Sequence, residues 1–345
     1  MIDLSNELAI GIDIGGTNTK YGLVNHRGEI IEKGDMKTEG YADVKDYIHA
    51  LYETIQPLIE KNGDGKTIKG IGIGAPNGNP FRGTIEYAPN LKWKGVIPMC
   101  ELVTERFKLP SIINNDAKAA AIGEMTYGAA RGMKDFIMIT LGTGVGSGIV
   151  INGQVVYGHD GFAGELGHTT IRPGGRKHWG TGMLGSLETY ASATGIAITA
   201  NELLDENPKT ESLYFLIRLS VYENPKTESL MRKYRREEIN ARVVAEAAEK
   251  GDDLAKEAYR FTGQILGEAL ANFVMFSSPE AIILFGGVIK AGDLILKPTK
   301  EHMEKNVLPI YRNKIKLVFS ELKEADAAIL GASALVWEFK SVDSR

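Results

Sequence analysis

A short turn near the N-terminus carries the residue types best suited to chemistry. An alternating apolar run ends at Asp13, two glycines and small polar residues follow, and a second extended run starts at Tyr21. This order predicts a strand, a tight turn and a strand, with the backbone N–H groups of the turn free to face an anion. Gly15 and Gly16 allow a phosphate to approach closely, and Asp13 is placed to hold a hydrated Mg²⁺. A hairpin that binds nothing fits the same pattern.

A second copy of this pattern lies in the middle of the chain. Residues 136–141 are apolar, residues 142–148 alternate glycine with other residues, and residues 149–151 resume the apolar run. Asn152 and Gly153 are then typical of a type I′ hairpin turn. Each copy predicts a three-stranded meander whose first turn is rich in glycine. A duplicated architecture that clasps a nucleotide between its halves accounts for both copies.

Two further segments carry groups for acid–base chemistry. Asp116 directly follows the predicted strand 111–114, and a carboxylate at a strand end can accept the proton of an attacking hydroxyl, as in phosphoryl transfer to an alcohol. Asn and Asp are also favoured caps of a following helix, and spacing alone does not separate the two roles. Glu165 and His168 form a second candidate pair, in a glycine-rich stretch that predicts a loop.

The composition is that of a globular enzyme and argues against several other classes. With 345 residues, 43% of them hydrophobic, the chain is long enough for two domains with substantial cores. A net charge of −4 gives no electrostatic reason to expect nucleic acid or an anionic membrane as a partner. The first residues lack the features of a secretory signal, and no run is apolar enough to span a membrane. The single cysteine, Cys100, excludes an internal disulfide and favours the cytoplasm.

Hydrophobic periodicity predicts the elements that position these residues. Strands are expected over residues 68–73, 111–114 and 281–285. Helices are expected over residues 44–59, 97–107, 117–127 and 187–204, twice within 240–276 with a break near residue 251, and over 325–339. We expect the last of these helices to pack back on the first domain.

One segment repeats itself. Residues 206–213 recur as residues 223–230, with a period of 17. A single extra copy is far too little for a repeat fold, so we interpret it as a tandem duplication. We expect a variable surface insertion over residues 205–235, and the sequence assigns it no function.

Taken together, the motifs resemble those of the ROK family, the sugar kinases and repressors of the sugar kinase, actin and Hsp70 superfamily. The resemblance covers almost the whole chain. It is carried by residues 13–20, 72–76, 88–91, 115–117, 142–146, 164–168, 187–188 and 285–287. It implies an α/β fold of two actin-like (ribonuclease H-like) domains, with an ATP and sugar cleft between them. We place the first domain at residues 1–118 and 322–345, and the second at residues 119–321.

The resemblance also implies the roles of individual residues. Asp116 corresponds to the general base that activates the 6-hydroxyl of glucose toward ATP, with Mg²⁺ as cofactor. The implied sugar contacts are Asn90, Asn115, Asp116, Glu165, His168 and Glu188. The implied nucleotide contacts are Asp13, Gly15, Gly16, Thr17, Asn18, Lys20, Thr143, Gly144, Gly286 and Gly287. The family further implies a homodimer.

Several alternatives stay open. Glucose is the first choice of acceptor, and N-acetylglucosamine, mannose, N-acetylmannosamine and fructose stay as alternatives, because one sequence does not show the shape of a pocket. A sugar-sensing regulator or an ATPase of the actin type are the other classes. Family repressors carry a helix-turn-helix before the sugar-binding body, whereas the first predicted strand of this chain starts within ten residues of Met1, which favours a kinase.

One departure from the family pattern concerns zinc. ROK enzymes commonly carry C-x-C-G-x-x-G-C-x-E, whose thiolates join the histidine of G-E-L-G-H on a structural zinc. In the aligned residues 179–188 the cysteine positions hold Trp179, Thr181 and Ser186. His168 remains and His178 lies nearby, but two histidines without thiolates do not close a tetrahedral site. We therefore predict no zinc, and a loop that keeps its shape by packing around Trp179.

Overall fold

The structure is a computed structural model, and it describes residues 6–62, 66–207 and 229–342, with the side chains of 339–342 left out. The predicted insertion at residues 205–235 lies largely outside these ranges. Among the described residues, no helix combines the length and the apolar character that crossing a membrane requires.

The described strands are numbered in chain order. They are β1 (Glu7–Ile14), β2 (Asn18–Asn25), β3 (Ile30–Lys37), β4 (Thr67–Ala75), β5 (Gly78–Asn79), β6 (Thr84–Glu86), β7 (Val96–Ile97), β8 (Ser111–Asn115), β9 (Phe136–Leu141), β10 (Val145–Ile151), β11 (Gln154–Val155), β12 (Ala281–Phe285) and β13 (Lys316–Phe319).

The described α-helices are numbered in the same way. They are α1 (Val44–Asn62), α2 (Met99–Phe107), α3 (Asp116–Tyr127), α4 (Glu188–Ala191), α5 (Ala193–Glu206), α6 (Ala241–Glu249), α7 (Asp253–Ser277), α8 (Asp293–Asn306) and α9 (Glu324–Val342). The break predicted near residue 251 is confirmed, since α6 and α7 are separated there.

Two five-stranded sheets share one plan. The first has the order β3-β2-β1-β4-β8 and the second the order β11-β10-β9-β12-β13. In the first sheet β1, β2 and β3 form an antiparallel meander, while β4 and β8 extend it in parallel with β1. The type I′ turn after β10 is confirmed, because φ is positive at both Asn152 (53°) and Gly153 (74°). The prediction of two matching meanders is therefore confirmed. A short third sheet has the order β5-β6-β7.

Two predicted helices differ from the observed ones for local reasons. The helix expected over residues 187–204 is split into α4 and α5 at Ser192, which is extended and whose hydroxyl accepts a hydrogen bond from the Gly195 N–H at 3.0 Å. The helix expected from residue 97 begins at Met99, because Val96–Ile97 forms a strand and Pro98 is not helical.

Residue contacts group the chain into two compact units. Unit 1 comprises Met1–Met138, Ser147–Gly164 and Val318–Arg345, and unit 2 comprises Ile139–Gly146 and Glu165–Leu317. The domain division predicted from the family resemblance is not tested by this grouping and stays a prediction.

The core of unit 1 lies around its sheet and the C-terminal helix. Buried side chains of β1 and β4, such as Ile12 and Ile73, pack in one cluster with those of α1 and α2. The C-terminal helix α9 packs on β1, β4 and α3, as expected for the tail. The approach is close: a Cβ on Gly72 would lie 1.8 Å from the carbonyl oxygen of Ala332.

This close approach gives the first prediction. Gly72→Ala should lower the free energy of unfolding by roughly 2 kcal/mol or more, because the new methyl group meets backbone that cannot move aside. Gly40→Ala is the control, since a Cβ there meets nothing within 4 Å, and its effect should stay within about 0.5 kcal/mol. Urea denaturation followed by circular dichroism measures both. Equal stability of the two variants would contradict the packing described.

Candidate functional site

Two carboxylates lie at the same edge of the first sheet. The parallel strands β1, β4 and β8 bring Asp13 beside Gly74, and Gly74 beside Asn114. Asp116 follows β8 directly, as the first residue of α3. A Cβ built on Gly74 would lie 3.4 Å from Oδ1 of Asp13 and 3.8 Å from Cα of Asp116. The structure therefore brings Asp13 and Asp116 together at the carboxyl ends of these strands, the usual place for a ligand in an open α/β sheet.

The neighbour of Asp116 caps the following helix. Oδ1 of Asn115 accepts hydrogen bonds from the N–H groups of Ala117 (3.0 Å) and Lys118 (3.3 Å). Asp116 lies one residue further on with an exposed side chain, and its Oδ1 accepts from the Ala117 N–H at 2.8 Å. The two roles that spacing left open are thus divided: Asn115 is the N-cap, and Asp116 presents a carboxylate in the first helical turn.

Both carboxylates hold their protons more tightly than usual. Desolvation, and then the negative charge of Asp116, raise the pKa of Asp13 to about 7, although Lys20 opposes the shift. Although Asp116 is accessible to solvent, the protein atoms packed around its carboxyl group desolvate it and raise its pKa, while hydrogen bonds from the backbone and from Asn115 oppose the shift. This pair concentrates negative charge that one nearby lysine does not balance, so the site favours a bound cation or proton.

The first glycine turn lies against Asn90. The Gly15 N–H donates to the carbonyl oxygen of Asn18 at 3.0 Å, which closes the turn. A Cβ on Gly16 would lie 2.6 Å from the carbonyl oxygen of Asn90. Unit 1 therefore places a predicted sugar contact beside the predicted phosphate turn. Three predicted nucleotide contacts on this turn and at the start of β2 are exposed: Thr17, Asn18 and Lys20.

The second glycine turn, in unit 2, is fixed by its neighbours. The Gly142 N–H donates to the Gly144 carbonyl oxygen at 3.0 Å, and the Thr194 hydroxyl donates to the Thr143 carbonyl oxygen at 2.9 Å. Gly286 has a φ of 109°, and a Cβ there would lie 2.5 Å from the carbonyl oxygen of Leu141. The predicted contacts Thr143, Gly144, Gly286 and Gly287 thus gather at the ends of β9 and β12.

The predicted sugar contacts of unit 2 lie on two segments that pack against Val145, the residue after Gly144. The Val145 N–H donates to Oε2 of Glu188 at 2.7 Å. A Cβ on Gly167 would lie 2.1 Å from the carbonyl oxygen of Val145, so the segment that carries Glu165 and His168 packs on the same residue. Glu165 is exposed just before the short 3₁₀ helix Leu166–His168.

The sequence analysis did not assign His178 to this site. Nε2 of His178 lies 2.5 Å from Oε1 of Glu188, while Nδ1 accepts hydrogen bonds from the N–H groups of Gly180 (3.1 Å) and Thr181 (2.9 Å). Trp179 stacks on this imidazole but is 49% exposed. The loop is therefore centred on His178, and the expectation that it packs around Trp179 needs this correction. No sequence pattern links His178 to Glu188; the only signal was a histidine beside a loop without thiolates.

The chain is similar to known proteins over almost its whole length. The model of the ROK family matches residues 9–338. The chain belongs to the ROK family. The glucokinase of Halalkalibacterium halodurans is 35% identical over 338 residues, which cover 96% of each chain. The crystal structure of a ROK glucokinase from Streptomyces griseus in complex with glucose and AMPPNP shares 30% identity, with a TM-score of 0.74 over 96% of this chain and 99% of that one.

A regulator of the same family is also similar. The xylose repressor of Caldicellulosiruptor bescii is 31% identical over 331 residues, which cover 95% of this chain and 77% of the repressor. Nevertheless, the similarity to the glucokinases, in sequence and in structure, confirms the predicted family, the mixed α/β fold and the sugar kinase class.

The zinc site common in this family does not fit the residues of this chain. The positions of its three thiolates hold Trp179, Thr181 and Ser186. Both ring nitrogens of His178 are engaged in hydrogen bonds, and Nδ1 of His168 and Oγ of Ser186 have no hydrogen-bond partner in the part of the chain that is described. Over that same part, no three His, Cys, Asp or Glu side chains cluster as a metal site requires. An imidazole and a hydroxyl do not make a closed zinc site.

The electrostatics of the carboxylate pair give the second prediction. Folding raises the pKa of Asp13 from 3.8 to about 7, so ionisation of Asp13 destabilises the folded protein. This cost is absent below about pH 4, and the free energy of unfolding falls as the pH rises from there through 7. Asp13→Asn should therefore stabilise the ligand-free protein at pH 8.5, by at most about 4 kcal/mol, and far less at pH 4.5. Thermal unfolding at the two pH values measures the difference.

The matched control for this test is Asp46→Asn. Asp46 is exposed in the first turn of α1, and its replacement should change stability by no more than about 0.5 kcal/mol at either pH. An Asp13→Asn variant that destabilises the protein at pH 8.5 would contradict the charge concentration described.

Proposed function

We propose that this chain transfers the γ-phosphoryl group of ATP to the 6-hydroxyl of a hexose, and that glucose is the preferred acceptor. The observation that carries the proposal is the position of Asp116, whose exposed carboxylate follows β8 at the edge that also holds Asp13 and the first glycine turn. The kinship with glucokinases, one of them bound to glucose and AMPPNP, supports the choice of both substrates.

Asp116 acts as the general base in this proposal. A carboxylate with a raised pKa accepts a proton more readily than an ordinary one, and desolvation raises the pKa of Asp116. The sugar hydroxyl gives its proton to Asp116 as its oxygen attacks the γ-phosphorus, and ADP leaves with the bridging oxygen. Since Asn115 caps the helix, Asp116 is available for this task.

The two glycine turns bind the nucleotide in this proposal. Their backbone N–H groups stabilise negative charge on the phosphates, and the glycines at positions 16 and 144 permit the close packing observed around each turn. Asp13 fits a Mg²⁺ ion, because Mg²⁺ binds through few carboxylates together with water and substrate phosphate. Desolvation and then the negative charge of Asp116 raise the pKa of Asp13, and a bound cation would offset both effects. When bound, Mg²⁺ neutralises charge on the phosphate oxygens.

We assign the hydroxyls of the hexose to the side chains of Asn90, Asn115, Glu165, His168 and Glu188, as the family resemblance implies. The predicted domain boundaries, the cytoplasmic location and the homodimer stay parts of this proposal.

A regulator that senses sugar is the second candidate function, because the xylose repressor is also similar. Such a protein would bind hexose and release no ADP. The presence of Asp116 and of two glycine turns favours the kinase, since a sensor needs neither a base nor a phosphate cradle.

The role of Asp116 gives the third prediction. Asp116→Asn should lower kcat about 100-fold or more, because the attacking hydroxyl loses its proton acceptor. The affinity for hexose should change much less, since an amide still forms hydrogen bonds. A coupled assay for ADP release measures kcat, and isothermal titration measures the affinity. Asp46→Asn should retain wild-type rates, and near-normal turnover of Asp116→Asn would remove the assigned base.

The identity of the acceptor gives the fourth prediction. Among glucose, mannose, fructose, N-acetylglucosamine and N-acetylmannosamine, glucose should give the highest kcat/KM with ATP. A higher value for an acetamido sugar would correct the acceptor and leave the kinase in place. Hexose binding with no ADP release from any of the five sugars would instead support the sensor.

A further inference from the structure

We propose that His178 is a positioning residue of this site, whose imidazole holds the carboxylate of Glu188 and the loop of residues 178–183 in place of a metal ion. The inference rests on the proposed function, in which Glu188 binds the sugar. It concerns a residue that the family motifs leave out, and its geometry lies entirely within unit 2.

The hydrogen bonds of His178 select one tautomer. Nδ1 accepts from two backbone N–H groups, those of Gly180 at 3.1 Å and Thr181 at 2.9 Å. A nitrogen that accepts hydrogen bonds carries no proton, so the proton of the neutral ring lies on Nε2. That nitrogen is 2.5 Å from Oε1 of Glu188, and the N–H therefore donates to the carboxylate. Each ring nitrogen has one defined role, and the ring cannot flip without losing both.

Glu188 links this ring to the second glycine turn. Its Oε1 accepts from His178 and its Oε2 accepts from the Val145 N–H at 2.7 Å. The side chain is 12% exposed, and a Cβ on Gly144 would lie 2.5 Å from Oε2. The carboxylate is thus held at both oxygens between a loop and the turn assigned to phosphate, which leaves it one orientation.

The ring itself is fixed by packing. The side chain of His178 is 5% exposed. Trp179 stacks on it with ring centroids 4.5 Å apart, and His168 meets it edge to face at 5.4 Å. The backbone of His178 closes the loop as well, because its N–H donates to the Met183 carbonyl oxygen at 2.8 Å and its carbonyl oxygen accepts from the Gly182 N–H at 3.0 Å. One residue therefore orders the loop through its backbone, both ring nitrogens and the ring faces.

His178 fixes the loop of residues 178–183 in a chain that lacks the thiolates for a zinc ion. A metal ion would fix the loop by several bonds to one centre, and here the imidazole is that centre, with hydrogen bonds to Gly180, Thr181 and Glu188. Its loss should free the Glu188 carboxylate to rotate. Because Glu188 is assigned to the sugar and not to the proton transfer, the expected effect is on sugar binding rather than on turnover.

Two amide variants separate the roles of the two nitrogens. His178→Gln places an amide N–H near the position of Nε2 and can still donate to Glu188. His178→Asn places its amide near Nδ1, where it can accept from the loop, but is too short to reach Glu188. We expect His178→Asn to raise the KM for hexose about tenfold with kcat within about threefold of wild type, and His178→Gln to recover most of the KM.

The outcomes of this comparison are distinct. A KM for hexose that stays at the wild-type value in both variants overturns the proposal, as does an equal rise in both. Thermal unfolding of each variant shows whether it is folded. If both variants fail to fold, nuclear magnetic resonance spectra of the wild-type protein test the proposed role of His178 instead.

That measurement does not depend on activity. Long-range ¹H–¹⁵N correlation spectra of the wild-type protein report which nitrogen of His178 carries the proton. The proposal expects the neutral ring protonated at Nε2, and elemental analysis of the purified protein should find far less than one zinc per chain. A ring protonated at Nδ1, or zinc in stoichiometric amount, overturns it. If the wild-type protein phosphorylates no hexose, the proposed function fails while these two readouts still decide the role of His178.

Discussion

The accumulation of negative charge at one edge of the first sheet is the constraint on which the account of this site depends. Parallel strands β1, β4 and β8 end together, and they bring Asp13 and Asp116 to the same edge with Gly74 between them. Folding alone does not favour two desolvated carboxylates in one place, as the raised pKa of each shows. The charges become useful when a cation, a proton in transfer or a polarised hydroxyl is present.

The sheet of unit 2 also has a glycine turn at a strand end, but the charge there is arranged differently. The turn after β9 lies at the corresponding strand end, and it is bordered by Gly286 and by the start of α5. There the carboxylate of Glu188 contacts the turn, and it accepts hydrogen bonds from two donors, the His178 ring and the Val145 N–H. One strand end thus holds two neighbouring carboxylates with raised pKa values, while the other holds one carboxylate fixed by hydrogen bonds.

The sequence was most informative where a feature is encoded locally. Apolar runs that stop at Asp13 and at residues 142–148 predicted both meanders and their glycine turns, because strand ends and tight turns depend on neighbouring residues. The adjacency of Asp13 and Asp116 depends instead on the parallel pairing of β1 with β4 and of β4 with β8. No spacing in the chain encodes that pairing. The raised pKa of Asp13 could not be predicted either, because it depends on the burial and on the neighbouring Asp116 that the pairing brings about.

Other features of the site were out of reach for a similar reason. The choice of Asn115 over Asp116 as the helix cap depends on where the strand gives way to the helix. The link between His178 and Glu188 depends on the path of an irregular loop closed by backbone hydrogen bonds. Set against the family pattern, the sequence showed that the thiolates are missing, but the imidazole of His178 that contacts the loop instead was visible only in the structure.

A crystal structure of the protein with glucose and AMPPNP would show directly which group of the sugar faces Asp116. We expect a carboxylate oxygen of Asp116 within about 3.2 Å of the 6-hydroxyl oxygen of the sugar, with the triphosphate against the two glycine turns. A hexose bound with its 6-hydroxyl away from Asp116, or a triphosphate away from both turns, would contradict it.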